Sequence, residues 1–251
     1  MNRKSRLPLA ALLGLATASV LGATDGGDVK TKEETVNFDV PAAEDDGGLG
    51  GSLYLSGGYA SEYVYRGKSF GDSAAEGRAE FVLPIAKSAS LSIGGKYVGT
   101  DDYEEAQGFA SLQQGFGVFT AALGYRWYGL DADNRQEVGM LIATNALGID
   151  WSLGYFHDAE LAGHYAEFMG QHTWQIFDHL ALRSGAGISA ASNYWEGGSG
   201  LNHAFFRLDL PVNVRNWFTL TPWVGASIPL DAIDATEDDS VAGGVSLQVS
   251  F

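Results

Sequence analysis

Apolar and polar positions alternate along most of this chain with a period of two. The last eleven residues show the pattern in its simplest form. Val241, Gly243, Val245, Leu247, Val249 and Phe251 fall on one side, and Ala242, Gly244, Ser246, Gln248 and Ser250 on the other. Successive side chains of a strand point to opposite faces, so this segment predicts a strand with one apolar and one small or polar face. Its length suits a tilted strand across a bilayer, about 9–11 residues. Taken alone, it fits the edge of a soluble sandwich equally well.

The alternation recurs from Ser52 onward. It predicts strands at Ser52–Arg66, Ala75–Leu83, Ala89–Val98, Glu105–Gln114, Val118–Tyr128, Gln136–Asn145, Ile149–His157, His164–Trp174, Leu180–Ala190, Asn202–Leu210 and Trp217–Ile228. Pro222 predicts a bulge in the last of these. The connections alternate in length. Pro84–Ser88, Gly115–Gly117, Ala146–Gly148, Gln175–His179 and Asn213–Asn216 are short. Gly67–Ser73 is a loop, and longer, mostly acidic connections surround Asp101, Asp131, Asp158 and Glu196 and span Asp231–Asp239. Short turns at one end and longer loops at the other predict an all-β fold, a closed antiparallel up-and-down transmembrane β-barrel of twelve strands over residues 51–251. The even count puts both ends of the barrel on the short-turn, periplasmic side. Val241–Phe251 then pairs with Ser52–Arg66 and removes the last open edge.

The two faces of this barrel differ in chemistry. Aromatics on the apolar face predict membrane girdles at two levels. Tyr63, Tyr65, Tyr125 and Trp127 lie toward the longer loops, and Trp151, Trp174 and Phe251 toward the short turns. The opposite face carries Glu62, Arg66, Glu76, Arg78, Glu80, Lys96, Glu105, Arg126, Glu137, Asp150, Glu167, Arg183, Arg207 and Asp209. A soluble core could not hold so many ionisable groups, because each unpaired buried charge is costly. A water-filled or ion-paired lumen can. Two meanings stay open: the charges line a pore and select ions, or they pair across a narrow interior and fill it. Tyr54, Tyr128, Phe156, Tyr165 and Trp223 also point inward and favour constriction. Glu62 and Arg66 are roughly 13 Å apart along their strand, too far to pair directly. Arg66 is expected to anchor an ion-pair network near the outer mouth.

Composition adds export and excludes some partners. Arg3, Lys4 and Arg6 precede an uncharged apolar stretch from Leu7 to Val20 and small residues to Ala23, so residues 1–23 read as a cleaved signal peptide. Residues 24–50 contain eight acids and no sustained apolar period, and read as a flexible acidic periplasmic segment. Removing the signal's three basic residues leaves twelve bases against 31 acids. That balance excludes nucleic acid as a partner. Outer-membrane lipid and lipopolysaccharide are the partners expected of the outer surface and loops. There is no cysteine, hence no disulfide framework.

Candidate chemistry is sparse. His157-Asp158 and His164 would be brought together by neighbouring strands, as an outer-membrane hydrolase would need, but no serine stands at a matching spacing. Asp131-Ala132-Asp133-Asn134 has the start of a calcium loop without the glycine at its sixth position. The chain therefore reads as a non-enzyme without cofactor or metal. Its oligomeric state is not specified by the sequence.

One stretch carries a family resemblance. Ser61, Glu62, Tyr63, Tyr65, Arg66, Gly67 and Ser69 match the opening-strand pattern of the TorF-like porin family. That family more often has Asp where Glu62 stands and an aliphatic residue where Lys68 stands. The resemblance covers about a dozen residues and implies an outer-membrane barrel with a pore role. It brings no catalytic residues. The final strand, ending in Phe251, is similar to the closing strands of bacterial outer-membrane proteins, which implies recognition by the barrel-assembly machinery.

Overall fold

The chain alternates branched or aromatic residues with small or polar ones, a composition that suits a pleated wall with two different sides. The computed structural model describes residues 50–130, 134–195 and 198–251. The strands are β1 (Ser52–Tyr65), β2 (Lys68–Ala86), β3 (Ala89–Gly99), β4 (Glu104–Phe116), β5 (Phe119–Leu130), β6 (Arg135–Ala146), β7 (Ile149–Asp158), β8 (Gly163–Phe177), β9 (Leu180–Ser192), β10 (Ser199–Asp209), β11 (Val212–Arg215), β12 (Phe218–Pro229) and β13 (Ser240–Ser250). Each pairs antiparallel with its neighbours, and β13 pairs with β1 from Tyr54↔Ser250 to Ala60↔Gly244, closing the sheet. β10 and β11 share the neighbours β9 and β12 and form one interrupted stave, so the barrel has twelve. The signal and acidic segments, residues 1–23 and 24–50, lie outside the described residues apart from Gly50. Asp131, Ala132 and Asp133 of the calcium-like sequence also lie outside them.

The interruption falls at Pro211 rather than at Pro222. Pro222 sits in regular register opposite Val245. Its carbonyl accepts the Leu210 amide at 2.9 Å, and the Pro211 carbonyl accepts that of Ala181 at 3.1 Å. A proline needs only an acceptor role on its paired side, so Pro222 fits a ladder whose missing donor is not called on. The predicted bulge at Pro222 is thus corrected.

At one end every turn has two residues: Lys87-Ser88, Gly117-Val118, Leu147-Gly148, Asp178-His179 and Asn216-Trp217. At the other end the connections lengthen to the ten residues Leu230–Asp239, with one exception. The predicted loop Gly67–Ser73 is strand, because β2 starts at Lys68 and only Arg66-Gly67 joins it to β1.

The outer surface is apolar and exposed. Ile93, 59% exposed, is joined by Leu55, Tyr97, Leu123, Met140, Leu153 and Leu247 around the wall. Such a continuous apolar exterior suits hydrocarbon rather than water. Tyr125, Trp127, Trp174 and Phe251 are exposed on it. Trp151, half-buried, stacks on outward Phe168 with ring centroids 5.5 Å apart.

Candidate functional site

The interior is where the chain concentrates its charge. Among the charged residues expected inside, Arg66, Glu80, Lys96, Glu105, Arg126, Glu137, Glu167, Arg183, Arg207 and Asp209 are buried. Glu62, Glu76, Arg78 and Asp150 are half-buried. Many of these pair locally. Lys96 Nζ lies 2.8 Å from Glu76, Arg78 Nη2 is 2.6 Å from Glu80, and Arg207 Nε is 2.7 Å from Asp209. Arg207 also stacks its guanidinium 4.1 Å from the Trp223 ring centre. Tyr165 donates to Glu167 at 2.7 Å, and the Asn145 amide to Asp150 at 2.8 Å. Such pairing lowers the cost of removing these groups from bulk water.

The loop-end mouth is organised differently. The ladder between β1 and β13 stops at Ala60↔Gly244, and that between β2 and β3 starts at Ala75↔Gly99. Between those pairs, the hairpin tip from Ser61 to Ala74 has, among the described residues, no ladder partner outside β1 and β2 themselves. It folds inward. Tyr63, Val64, Tyr65, Arg66 and Gly67 are all buried, five residues in a row and therefore on both faces. One face packs Tyr63 and Tyr65 with Val98 and Tyr128, and the other packs Val64 with Trp223 and Ala242.

This corrects the girdle assignment of Tyr63 and Tyr65, which are only 4% and 3% exposed. Alternation sorts side chains into lumen and lipid only while a strand stays in the wall. From Tyr63 to Gly67 both sides of the hairpin are interior, while Ser61, Ser69, Asp72 and Ser73 stay exposed. Tyr63 donates to Glu105 at 3.4 Å, and the Tyr65 and Tyr128 hydroxyls are 2.6 Å apart.

At the tip, Arg66 reaches the far wall. Its Nη2 donates to Glu137 Oε1 at 3.0 Å, and its Nη1 donates to Glu137 Oε2 and to the Tyr194 hydroxyl. The guanidinium carbon lies 4.4 Å from the ring centres of both Phe156 and Tyr165, 4.8 Å from Tyr194 and 5.1 Å from Tyr65. Glu137, Phe156 and Tyr165 belong to β6, β7 and β8, half-way round the ring from β1. Phe156 can lie flat there because the wall beneath it is Gly139 and Gly154; a Cβ at either would sit 2.4 or 2.8 Å from its ring. Tyr194 donates to Glu137 Oε2 at 2.9 Å. Burial pushes the Tyr194 phenol well above its ordinary pKa, so it remains a donor.

The backbone of the tip is held as well. The Arg66 carbonyl accepts from Asn202 Nδ2 at 2.7 Å and from Trp195 Nε1 at 3.4 Å. The Ser69 amide donates to Glu237 at 2.9 Å. Glu62 accepts from Ser69 Oγ at 2.6 Å and from Ser240 Oγ. The spacing argument that kept Glu62 and Arg66 apart thus agrees with their separate partners.

Sequence reasoning missed several of these groups. Tyr194 and Trp195 stand in the connection around Glu196, where two adjacent aromatics are the signal the sequence offers. Asn202 and His203 fall on the predicted strand Asn202–Leu210, whose period names no partner for them. Ser189 Oγ and Asn202 Nδ2 lie 2.7 and 2.9 Å from His203 Nδ1, but the same serine oxygen is also tied to the His203 backbone. This is a strand-bridging cap beneath the hairpin. His157 and His164 meet as expected, stacked with centroids 4.8 Å apart. Their nitrogens engage the Gly163 carbonyl and the Tyr155 hydroxyl. Asp158 turns instead to Arg135, whose Nε is 2.7 Å away.

No protein-family model matches this chain, and no curated protein matches it in sequence. Its structure is similar to solved outer-membrane barrels. The KdgM porin superimposes with a TM-score of 0.54 at 12% identity, covering 79% of this chain and 99% of that one. An outer-membrane channel from Pseudomonas putida F1 gives 0.53 at 9% identity, covering 80% and 94%. The NanC porin gives 0.52 at 12% identity, covering 79% and 98%. What this chain shares with them is the fold: a closed antiparallel barrel of the size found in small outer-membrane porins and channels.

Proposed function

We propose that this chain is a small outer-membrane pore protein that passes ions or small polar solutes through its charged interior. The observation that carries the reading is the lumen itself. Beyond its ion pairs it holds buried polar atoms with no protein partner among the described residues: both amide atoms of Gln113, Glu80 Oε1 and Ser227 Oγ. Buried groups of this kind are normally satisfied by water. A polar, ionisable interior inside an apolar exterior is the arrangement a pore needs. The opening-strand resemblance to TorF-like porins and the fold likeness to KdgM and NanC support the same reading. On this reading residues 1–23 direct export, the outer surface meets lipid and lipopolysaccharide, and the Phe251 strand engages the barrel-assembly machinery.

Reconstitution in planar bilayers tests it. Steady single-channel steps with ion selectivity are expected. Silence from folded, heat-modifiable barrels, wild type and Arg66→Ala alike, would overturn it. A second reading is a sealed structural barrel, favoured by the close packing around Arg66.

A further inference from the structure

We propose that the hairpin tip from Ser61 to Ala74 is a latch that shuts the loop-end mouth, with Arg66 as its catch. The proposal rests on the pore reading above. Three observations carry it.

First, among the described residues the tip shares no ladder with the wall; what it shares with the wall runs through side chains, such as the Gly243 amide donating to Ser61 Oγ at 3.0 Å. The barrel closes through Ala60↔Gly244 on one side of it and Ala75↔Gly99 on the other. Swinging the tip outward breaks no pair of either ladder. An element that leaves the barrel's ladder hydrogen bonds intact avoids the main cost of opening a closed sheet.

Second, side-chain contacts hold the tip down. Arg66 on Glu137 and Tyr194, Asn202 on the Arg66 carbonyl, and Glu237 on the Ser69 amide tie it to the far wall and to neighbouring loops. Polar contacts of this type can be exchanged for water one at a time; opening also exposes the apolar packing of Tyr63, Val64 and Tyr65.

Third, the turn uses the wrong residue for its backbone. Arg66 has φ of 52° and Gly67 has 83°. A two-residue turn of this hand favours Asn-Gly, and arginine is disfavoured at the first position. Its presence is accounted for by what its side chain does across the lumen. Gly67 completes the seat: a Cβ there would lie 2.8 Å from His203 Cγ and 2.9 Å from Ile233 Cδ1. Ile233, itself buried, belongs to the loop Leu230–Asp239, whose Glu237 also accepts from the Ser69 amide of the tip.

The test compares single-channel records of wild type, Arg66→Ala, Glu137→Gln and the double variant Gly67→Cys/His203→Cys. The chain has no cysteine of its own. A Cβ on Gly67 would lie 2.8 Å from His203 Cγ, which is one C–C bond from the His203 Cβ. The two Cβ atoms therefore stay within about 4.5 Å, the reach of a disulfide. Replacing His203 also removes the ring that a side chain at Gly67 would strike. Arg66→Ala and Glu137→Gln are expected to raise the open-to-closed ratio about tenfold to a hundredfold, the worth of losing charge-assisted bonds. The oxidised double variant is expected to be silent and to conduct once reduced. Wild type that conducts, with Arg66→Ala, Glu137→Gln and the oxidised disulfide all unchanged, would overturn the latch and leave the pore standing. Silence from every folded form, reduced disulfide included, would overturn both. If Arg66→Ala does not fold, Glu137→Gln and the reversible disulfide decide the matter.

Discussion

The turn between β1 and β2 and the turn between β6 and β7 have the same length and nearly the same backbone. Arg66 and Gly67 take φ of 52° and 83°; Leu147 and Gly148 take 59° and 74°. Both pairs suit the twist of antiparallel strands, and neither begins with the asparagine such a turn favours. Their surroundings are opposite. Arg66 is 4% exposed and Leu147 is 96% exposed. β6 and β7 stay in the wall up to their turn, with Ala146↔Ile149 the last pair, so the ladder holds Leu147 wherever its side chain points. β1 and β2 leave the wall, and the end of their hairpin needs anchors of its own. The same local geometry is a plain connector in one place and a packed element of the interior in the other. Neighbouring strands make the difference, not the turn.

Removing the catch is the harshest test of that contrast. Arg66→Ala strands Glu137 without its cation, and breaking a buried pair costs about 3–5 kcal/mol. Leu147→Ala is expected to change stability by less than about 0.5 kcal/mol. Denaturant unfolding of barrels folded in lipid vesicles measures both, and equal small effects would show that the hairpin is not lodged. Asparagine at each site gives a sharper test, because it should act with opposite signs. Arg66→Asn relieves the turn but forfeits the pair, a net loss of about 2–4 kcal/mol. Leu147→Asn only relieves the turn and is expected to stabilise by up to about 1 kcal/mol. The same sign at both positions would break the comparison.

The glycines give the smaller effects. Gly67→Ala meets both the left-handed backbone and the His203 ring, and is expected to cost about 1–3 kcal/mol. Gly148→Ala meets the backbone alone, since the nearest atom to its Cβ is His172 Cε1 at 3.7 Å. About 1 kcal/mol is expected there. Matching losses in the same unfolding experiment would remove His203 from the account of the seat.

Much of the barrel was legible because a wall strand obeys one rule. Leu55, Ile93, Leu123 and Val245 alternate against Tyr54, Lys96, Arg126 and Ser246, and the wall needs that alternation to separate lipid from lumen. The rule fails where its premise fails. Tyr63 and Tyr65 continue the outward phase of β1, yet both are inside, because the strand has left the wall. The stretch Gly67–Ser73 read as a loop for a related reason. Its glycines and small residues signal irregular chain, and the positive φ of Gly71 and Ser73 shows where that signal came from, but the segment still pairs with β1.

Partners were less legible than faces. The inward placement of Arg66 and Glu137 follows from period two, but 71 positions separate them in the chain. Only the closure of the ring brings β1 opposite β6. Tyr194 and Asn202 carry no periodic signal that would mark them as companions of Arg66.

By itself the sequence determined the number of staves, the sidedness of nearly every strand, the closing partner of Val241–Phe251 and the ionisable character of the interior. These follow from local periodicity and turn spacing, which need no knowledge of distant residues. The tertiary structure alone decided that the hairpin beyond Ala60 turns inward, that Tyr63 and Tyr65 are interior, and that Arg66 meets Glu137 and Tyr194. Those outcomes depend on where ladders stop and what stands across the lumen, and both are set only when the sheet closes.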